Sequence, residues 1–148
     1  MTKRIAEIEN YESLNEISAY NEMVERYKRI THNGFAERII NFSKRSGKIL
    51  DIGTGTGQIP IEIAKLNLFD EITVLDCSQK MLDFAKENAK KEGVFEKINF
   101  ILANALNLPF PVNYFDTVIS HNLIHEVADP SALMKEIKRV MRGGAVFL

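Results

Sequence analysis

One cysteine, Cys77, is all that the 148 residues carry. It can make no intramolecular disulfide and has no partner for a cysteine metal cluster, so no metal is expected. No apolar run approaches the roughly 18 residues of a membrane span, and the opening stretch MTKRIAEIENYESLNEISAY is charged throughout. No membrane association and no targeting are expected, and a reducing cytoplasm is the simplest setting. The formal net charge is −1 with no basic block, which leaves no electrostatic footprint for nucleic acid or an anionic membrane. Also missing is any GxxxxGK followed by Ser or Thr, which argues against the phosphate loop of a kinase or ATPase. There is no internal repeat and no low-complexity tract. What remains, 45% hydrophobic and 26% charged residues, is the composition of one globular domain, which at this size buries about 70% of the surface of its unfolded chain.

The hydrophobic pattern changes once. Through residue 46, Ile5, Ile8, Leu14, Ile17, Tyr20, Met23, Val24, Tyr27 and Ile30 recur mostly at threes and fours, as in an amphipathic helix. Asn33-Gly34 reads as a break, after which FAERIINFSKR restarts a helix. From residue 47 onward strands and helices alternate. KILDI (48–52), EITVLD (71–76), KINFILA (97–103), YFDTVIS (114–120) and AVFL (145–148) read as strands. QIPIEIAKLN, SQKMLDFAKENAKKEG (78–93) and DPSALMKEIKRVM (129–141) read as helices, with Pro60 tolerable in a first turn and Ser78 as an N-cap. Such alternation predicts an α/β fold with a mostly parallel sheet covered on both faces, residues 47–148, preceded by a helical extension, residues 1–46.

ILDIGTGTGQIPIEIA (49–64) runs from a buried strand through three alternate glycines into a helix. Gly53, Gly55 and Gly57 allow a sharp turn and close approach of backbone to a ligand. A tight turn without a ligand fits the triplet alone equally well. Asp76, ending the second strand, stands where a carboxylate accepts hydrogen bonds from ribose hydroxyls. With Asp51 it suits a ligand bearing hydroxyls and a cationic end, and suits a polyphosphate poorly. The dinucleotide pattern GxGxxG fails from Gly53, where Gln58 takes the place of the last glycine, and also from Gly55.

ILDIGTGTG resembles the first signature of class I S-adenosylmethionine-dependent methyltransferases. The likeness continues in order through VLDCSQKML (74–82), ALNLPF (105–110), FDTVISHNLIHEVADP (115–130) and LMKEIKRVMRGG (133–144), and covers roughly residues 47 to 148. It implies a Rossmann-like, doubly wound sheet of order 3-2-1-4-5 with helices on both faces. The nearest branch is the broad group acting on small molecules. The resemblance implies S-adenosylmethionine as cofactor, S-adenosylhomocysteine as product and a small-molecule acceptor. Gly53, Thr54, Gly55 and Gly57 would line the methionine part, with Asp51 near its ammonium end. Asp76 would hold the ribose hydroxyls, and Cys77 and Met81 would flank the adenine, Met81 being equally readable as a core residue. Asn104, Ala105 and Leu106 would meet the adenine edge, with Asn104 standing where the family usually carries an acid. Ser120, His121 and Asn122 would face the crevice beyond the fourth strand. His121 and His125 are the candidate acid–base residues. A structural role competes for both, since LIHEV is similar to a family block that packs a short helix. His32, with Tyr20 and Tyr27, could come from amino-terminal helices folded over the cofactor, as in similar enzymes, although the tyrosines read better as amphipathic packing residues.

Two departures stand out. Met141-Arg142-Gly143-Gly144 is one residue short of the family pattern and lacks its proline. The last family strands are absent after the fifth, so the chain reads as truncated, with an exposed sheet edge that would pair in a homodimer or be covered by a partner. The expected function is methyl transfer from S-adenosylmethionine to an unidentified small molecule. The competing expectation is a cofactor-binding domain, catalytically incomplete without a partner or further segment. A nicotinamide-dependent oxidoreductase fits less well. The single cysteine argues against arsenic methylation, and SHNL in place of an NPPY-like motif argues against methylation of base nitrogens.

Overall fold

The computed structural model describes residues 13–43 and 46–148, and within the first helix the side chains of 25–34 and 36 lie outside the described residues. The elements run α1 (Leu14–Phe42), β1 (Lys48–Ile52), α2 (Gln58–Leu66), β2 (Glu71–Asp76), α3 (Gln79–Lys91), β3 (Ile98–Leu102), β4 (Phe115–Ile119), α4 (Pro130–Val140) and β5 (Met141–Phe147). The five strands form one parallel sheet in the order β3-β2-β1-β4-β5. β1 lies at its centre, and its alternating side chains divide the core. Ile49 joins the layer beneath α1, α2 and α3, with Ile39, Ile61, Ile63, Val74 and Leu82. Leu50 and Ile52 join the layer beneath α4, with Leu75, Phe115, Leu133 and Ile137.

α1 corrects one sequence expectation, for it runs through Asn33-Gly34 without a break. A glycine inside a helix costs about 1 kcal/mol relative to alanine. Ile17, Val24 and Ile39, all buried, anchor the helix on both sides of that pair. The start is fixed by a capping box in which Ser13 Oγ accepts from the Glu16 amide at 3.1 Å and Glu16 Oε2 from the Ser13 amide at 3.2 Å. Tyr27 and His32 fall among the side chains outside the described residues.

The strand expected at 145–148 begins at Met141, because the chain bulges there. Between its pairings of Met141 with Phe115 and Val146 with Thr117, β5 uses five residue steps where β4 uses two. Gly144, at φ +75°, lies in this bulge. Arg142 Nη1 donates to both oxygens of Asp116, at 2.9 and 3.1 Å, and Asp116 Oδ2 also accepts from the Lys48 amide at 2.9 Å. The aspartate of the FD block therefore ties the starts of β1, β4 and β5 together, at the end of the sheet opposite the glycine loop.

Candidate functional site

Parallel strands expose their carboxyl ends together, and a crevice opens where the connections diverge on either side of β1. Two adjoining cavities of about 310 and 240 Å³ share Tyr20, Gly53, Gly55, His121 and Asn122 and form one continuous cleft. The inner cavity brings Asp51, Thr54, Thr56 and Gln58 together beneath Tyr20 and Met23 of α1. The outer one gathers Asp76, Cys77, Met81, Asn104, Ala105 and Glu126.

The loop between β1 and α2 is held from β2. The amides of Gly53 and Thr54 donate to the Leu75 carbonyl at 2.8 and 3.1 Å, and the Gly55 amide donates to Asp76 Oδ2 at 2.9 Å. Asp76 Oδ1 accepts from the Ser78 amide at 2.9 Å. Burial raises the pKa of Asp76 and these backbone donors pull it back. Each carboxylate oxygen keeps a lone pair for a ligand hydroxyl. A Cβ at Gly55 would meet nothing within 4 Å, so the loop is open where a ligand would lie against it.

Gly57 serves packing. It caps α2 at φ +80°, and a Cβ there would stand 2.9 Å from Ala85 Cβ of α3. It lies outside the cavity lining, as do Leu106, Ser120 and His125. Leu106 packs toward the α4 layer, and its amide donates to Asn104 Oδ1 at 2.8 Å. The Ser120 amide donates to the Leu148 carbonyl at 3.0 Å, while its buried Oγ has no partner among the described residues. The His125 side chain is 55% exposed, with Nε2 3.9 Å from Glu126 Oε1. His121 stays in the cleft, 4.9 Å from the Phe35 ring of α1, and burial lowers its pKa below 6.5.

Sequence reasoning gave Tyr20 to packing and passed over Gln58. Tyr20 shares a helix face with Ile17 and Val24, so its place over the cleft follows from the same periodicity. The polar Gln58 at the head of the apolar QIPIEIA was a usable signal. The loop carrying Asn104 and Ala105 is braced from α4: Arg139 donates to the carbonyls of Phe110 and Leu108 at 2.7 and 2.9 Å, and Glu136 Oε2 accepts from the Leu108 amide at 2.8 Å.

Asp51 is the most perturbed group. It is 3% exposed, and burial raises its pKa from 3.8 to about 7. The Thr54 hydroxyl beside it, though outside normal hydrogen-bond geometry, draws the value down, and the charge of Asp76 raises it. Unfolded, this carboxyl loses its proton near pH 4; folded, it keeps the proton to about pH 7. The folded chain thus holds the extra proton between those values, and stability falls as pH rises across the window. Asp51→Asn is expected to stabilise the fold at pH 8 by at most about 4 kcal/mol, raising Tm, with the gain vanishing toward pH 4. Thermal melts over that range check this, and a gain independent of pH would refute it.

No helix among the described residues is long and apolar enough to cross a membrane, and no cluster of metal-binding side chains occurs among them. The sequence pattern of a methyltransferase domain matches residues 50–148. The chain is 37% identical over 111 residues to an uncharacterized methyltransferase of Schizosaccharomyces pombe, covering 72% of this chain and 40% of that one. It is 27% identical over 106 residues to the ubiquinone/menaquinone biosynthesis C-methyltransferase UbiE of Pectobacterium atrosepticum, covering 71% and 42%. It therefore spans about two fifths of the length of these curated relatives. A solved Methanococcus maripaludis structure, assigned as an S-adenosyl-L-methionine-dependent methyltransferase, superposes with a TM-score of 0.83 at 26% identity over 90% of this chain and 61% of its own. With its sheet order, its glycine loop and its match to that domain over two thirds of its length, the chain belongs to the S-adenosylmethionine-dependent methyltransferase domain family.

Proposed function

We propose that this chain binds S-adenosylmethionine in the cleft and directs its methyl group to a small-molecule acceptor. The observation that carries this is charge: Asp51, Asp76 and Glu126 line the cleft, and among the described residues no lysine or arginine does. A ligand bearing a sulfonium and an ammonium gains from that field, whereas a pyrophosphate is repelled. Asp76 receives the ribose hydroxyls on its remaining lone pairs. Cys77 and Met81 flank the adenine, whose edge meets Asn104 and Ala105. Asp51 faces the ammonium end, and Gly53, Thr54 and Gly55 admit the methionine end close to the backbone.

When bound, the cofactor supplies a methyl group that is already electrophilic. What the chain adds is alignment of the acceptor and exclusion of water by α1. His121, whose pKa burial lowers, is placed to take a proton from a hydroxyl, thiol or activated carbon acceptor. The UbiE relative is named for C-methyl transfer, which makes an activated carbon the first acceptor to assay. The exposed, unbridged Cys77 suits a reducing, cytoplasmic setting.

Calorimetric titration of the purified chain with S-adenosylhomocysteine and with NAD tests the cofactor. Saturable binding of the first and no response to the second is expected. A folded chain that binds NAD, or neither, overturns the proposal.

A further inference from the structure

Gln58 opens α2 directly after the glycine loop and is 4% exposed. Its Nε2 donates to Asn21 Oδ1 of α1 at 3.3 Å. The same Oδ1 accepts from Asn88 Nδ2 of α3 at 2.9 Å, and that nitrogen also donates to the Thr56 carbonyl at 3.0 Å. This relay fixes the sense of all three amides. Asn88 must present nitrogen to a carbonyl, so Asn21 presents oxygen to Asn88, and Gln58 presents nitrogen to Asn21.

Gln58 Oε1 is thereby left as an acceptor. It is buried, it has no hydrogen-bond donor among the described residues, and Gln58 lines the inner cavity. Buried polar atoms are rarely left unpaired, and one held in place by three helices and a loop is not relieved by rotating the side chain. The same cavity holds the buried Asp51 carboxyl and, among the described residues, no lysine or arginine. An unpaired acceptor beside an acid that a neighbouring cation would ionise favours a group that only donates and carries positive charge, which describes an ammonium. A carboxylate would meet repulsion from both.

We propose that Gln58 Oε1 receives the α-ammonium of S-adenosylmethionine, with Asn21 and Asn88 as positioning residues that aim it. This rests on the cofactor assignment above and makes α1 part of the cofactor site as well as its cover.

The test is calorimetry of the full chain and its Gln58→Leu and Asn21→Leu variants with two probes: S-adenosylhomocysteine, and its deaminated analogue, which keeps the carboxylate and lacks the ammonium. A hydrogen bond to a charged group predicts that Gln58→Leu weakens S-adenosylhomocysteine at least ~10-fold and leaves the deaminated analogue unchanged. Asn21→Leu should give a smaller loss of the same selectivity. Gln58→Glu, which keeps an acceptor, should retain S-adenosylhomocysteine binding. Unchanged or equal losses for the two probes in Gln58→Leu overturn the proposal, equal losses marking Gln58 as merely structural. Binding of the deaminated analogue by the variant reports an intact cleft. Failure of the unaltered, folded chain to bind either probe overturns the cofactor assignment instead.

Discussion

Asp76→Ala is expected to weaken S-adenosylhomocysteine binding about 100-fold or more while leaving the chain folded. The carboxylate does two jobs. It accepts the Gly55 and Ser78 amides, holding the glycine loop against the start of α3, and in the proposed site it would offer its remaining lone pairs to the ribose hydroxyls. Two hydrogen bonds to a charged acceptor at about 1.5–3 kcal/mol each account for the loss. Removing the side chain also removes a buried charge, which offsets part of the cost to folding. Asp76→Asn should fall between, since its one amide oxygen cannot serve both backbone donors and both hydroxyls. Calorimetry with circular dichroism decides: binding within threefold of the unaltered chain would detach Asp76 from the site.

Gly57→Ala should be the most damaging substitution in the loop for stability, costing about 2–4 kcal/mol and lowering Tm by about 5–12 °C. Two costs add. A side chain at φ +80° is strained by about 1–2 kcal/mol, and the new methyl would collide with Ala85 of α3 at 2.9 Å. Gly55→Ala is the control, because its φ of +55° carries strain while its Cβ position is open. A thermal melt in which the two variants lose the same amount would remove α3 from the explanation.

The centre of the sheet was legible in the sequence because β1, β2 and β4 are short, mostly buried apolar runs, and parallel strands buried on both faces are patterned that way; the start of β5, MRGG, carries no such run. The cleft end of the sheet was legible through Asp76, whose distance from the glycine loop reflects one strand–helix–strand unit. Asn33-Gly34 misled because local propensity is a weak prior against burial at both ends of α1. The Gln58 relay was out of reach for a different reason. Its partners lie 37 and 67 residues apart in the chain, and nothing in a single sequence pairs Asn21 with Asn88. Likewise, the glycine triplet hides a division of labour, with Gly55 open to the cleft and Gly57 pressed against Ala85.

The Asp116 knot gives the sheet a polarity of risk. Lys48, Arg142 and Asp116 bind three parallel strands at their amino ends, so assembly is secured at one rim while the opposite rim carries the loops of the cleft. Insertions and substitutions after β4 can then reshape the cleft without renegotiating how the strands find one another. A scaffold so divided is free to vary at one rim, and under the proposed function the loop from Ser120 to Ala128 is where an acceptor would leave its imprint.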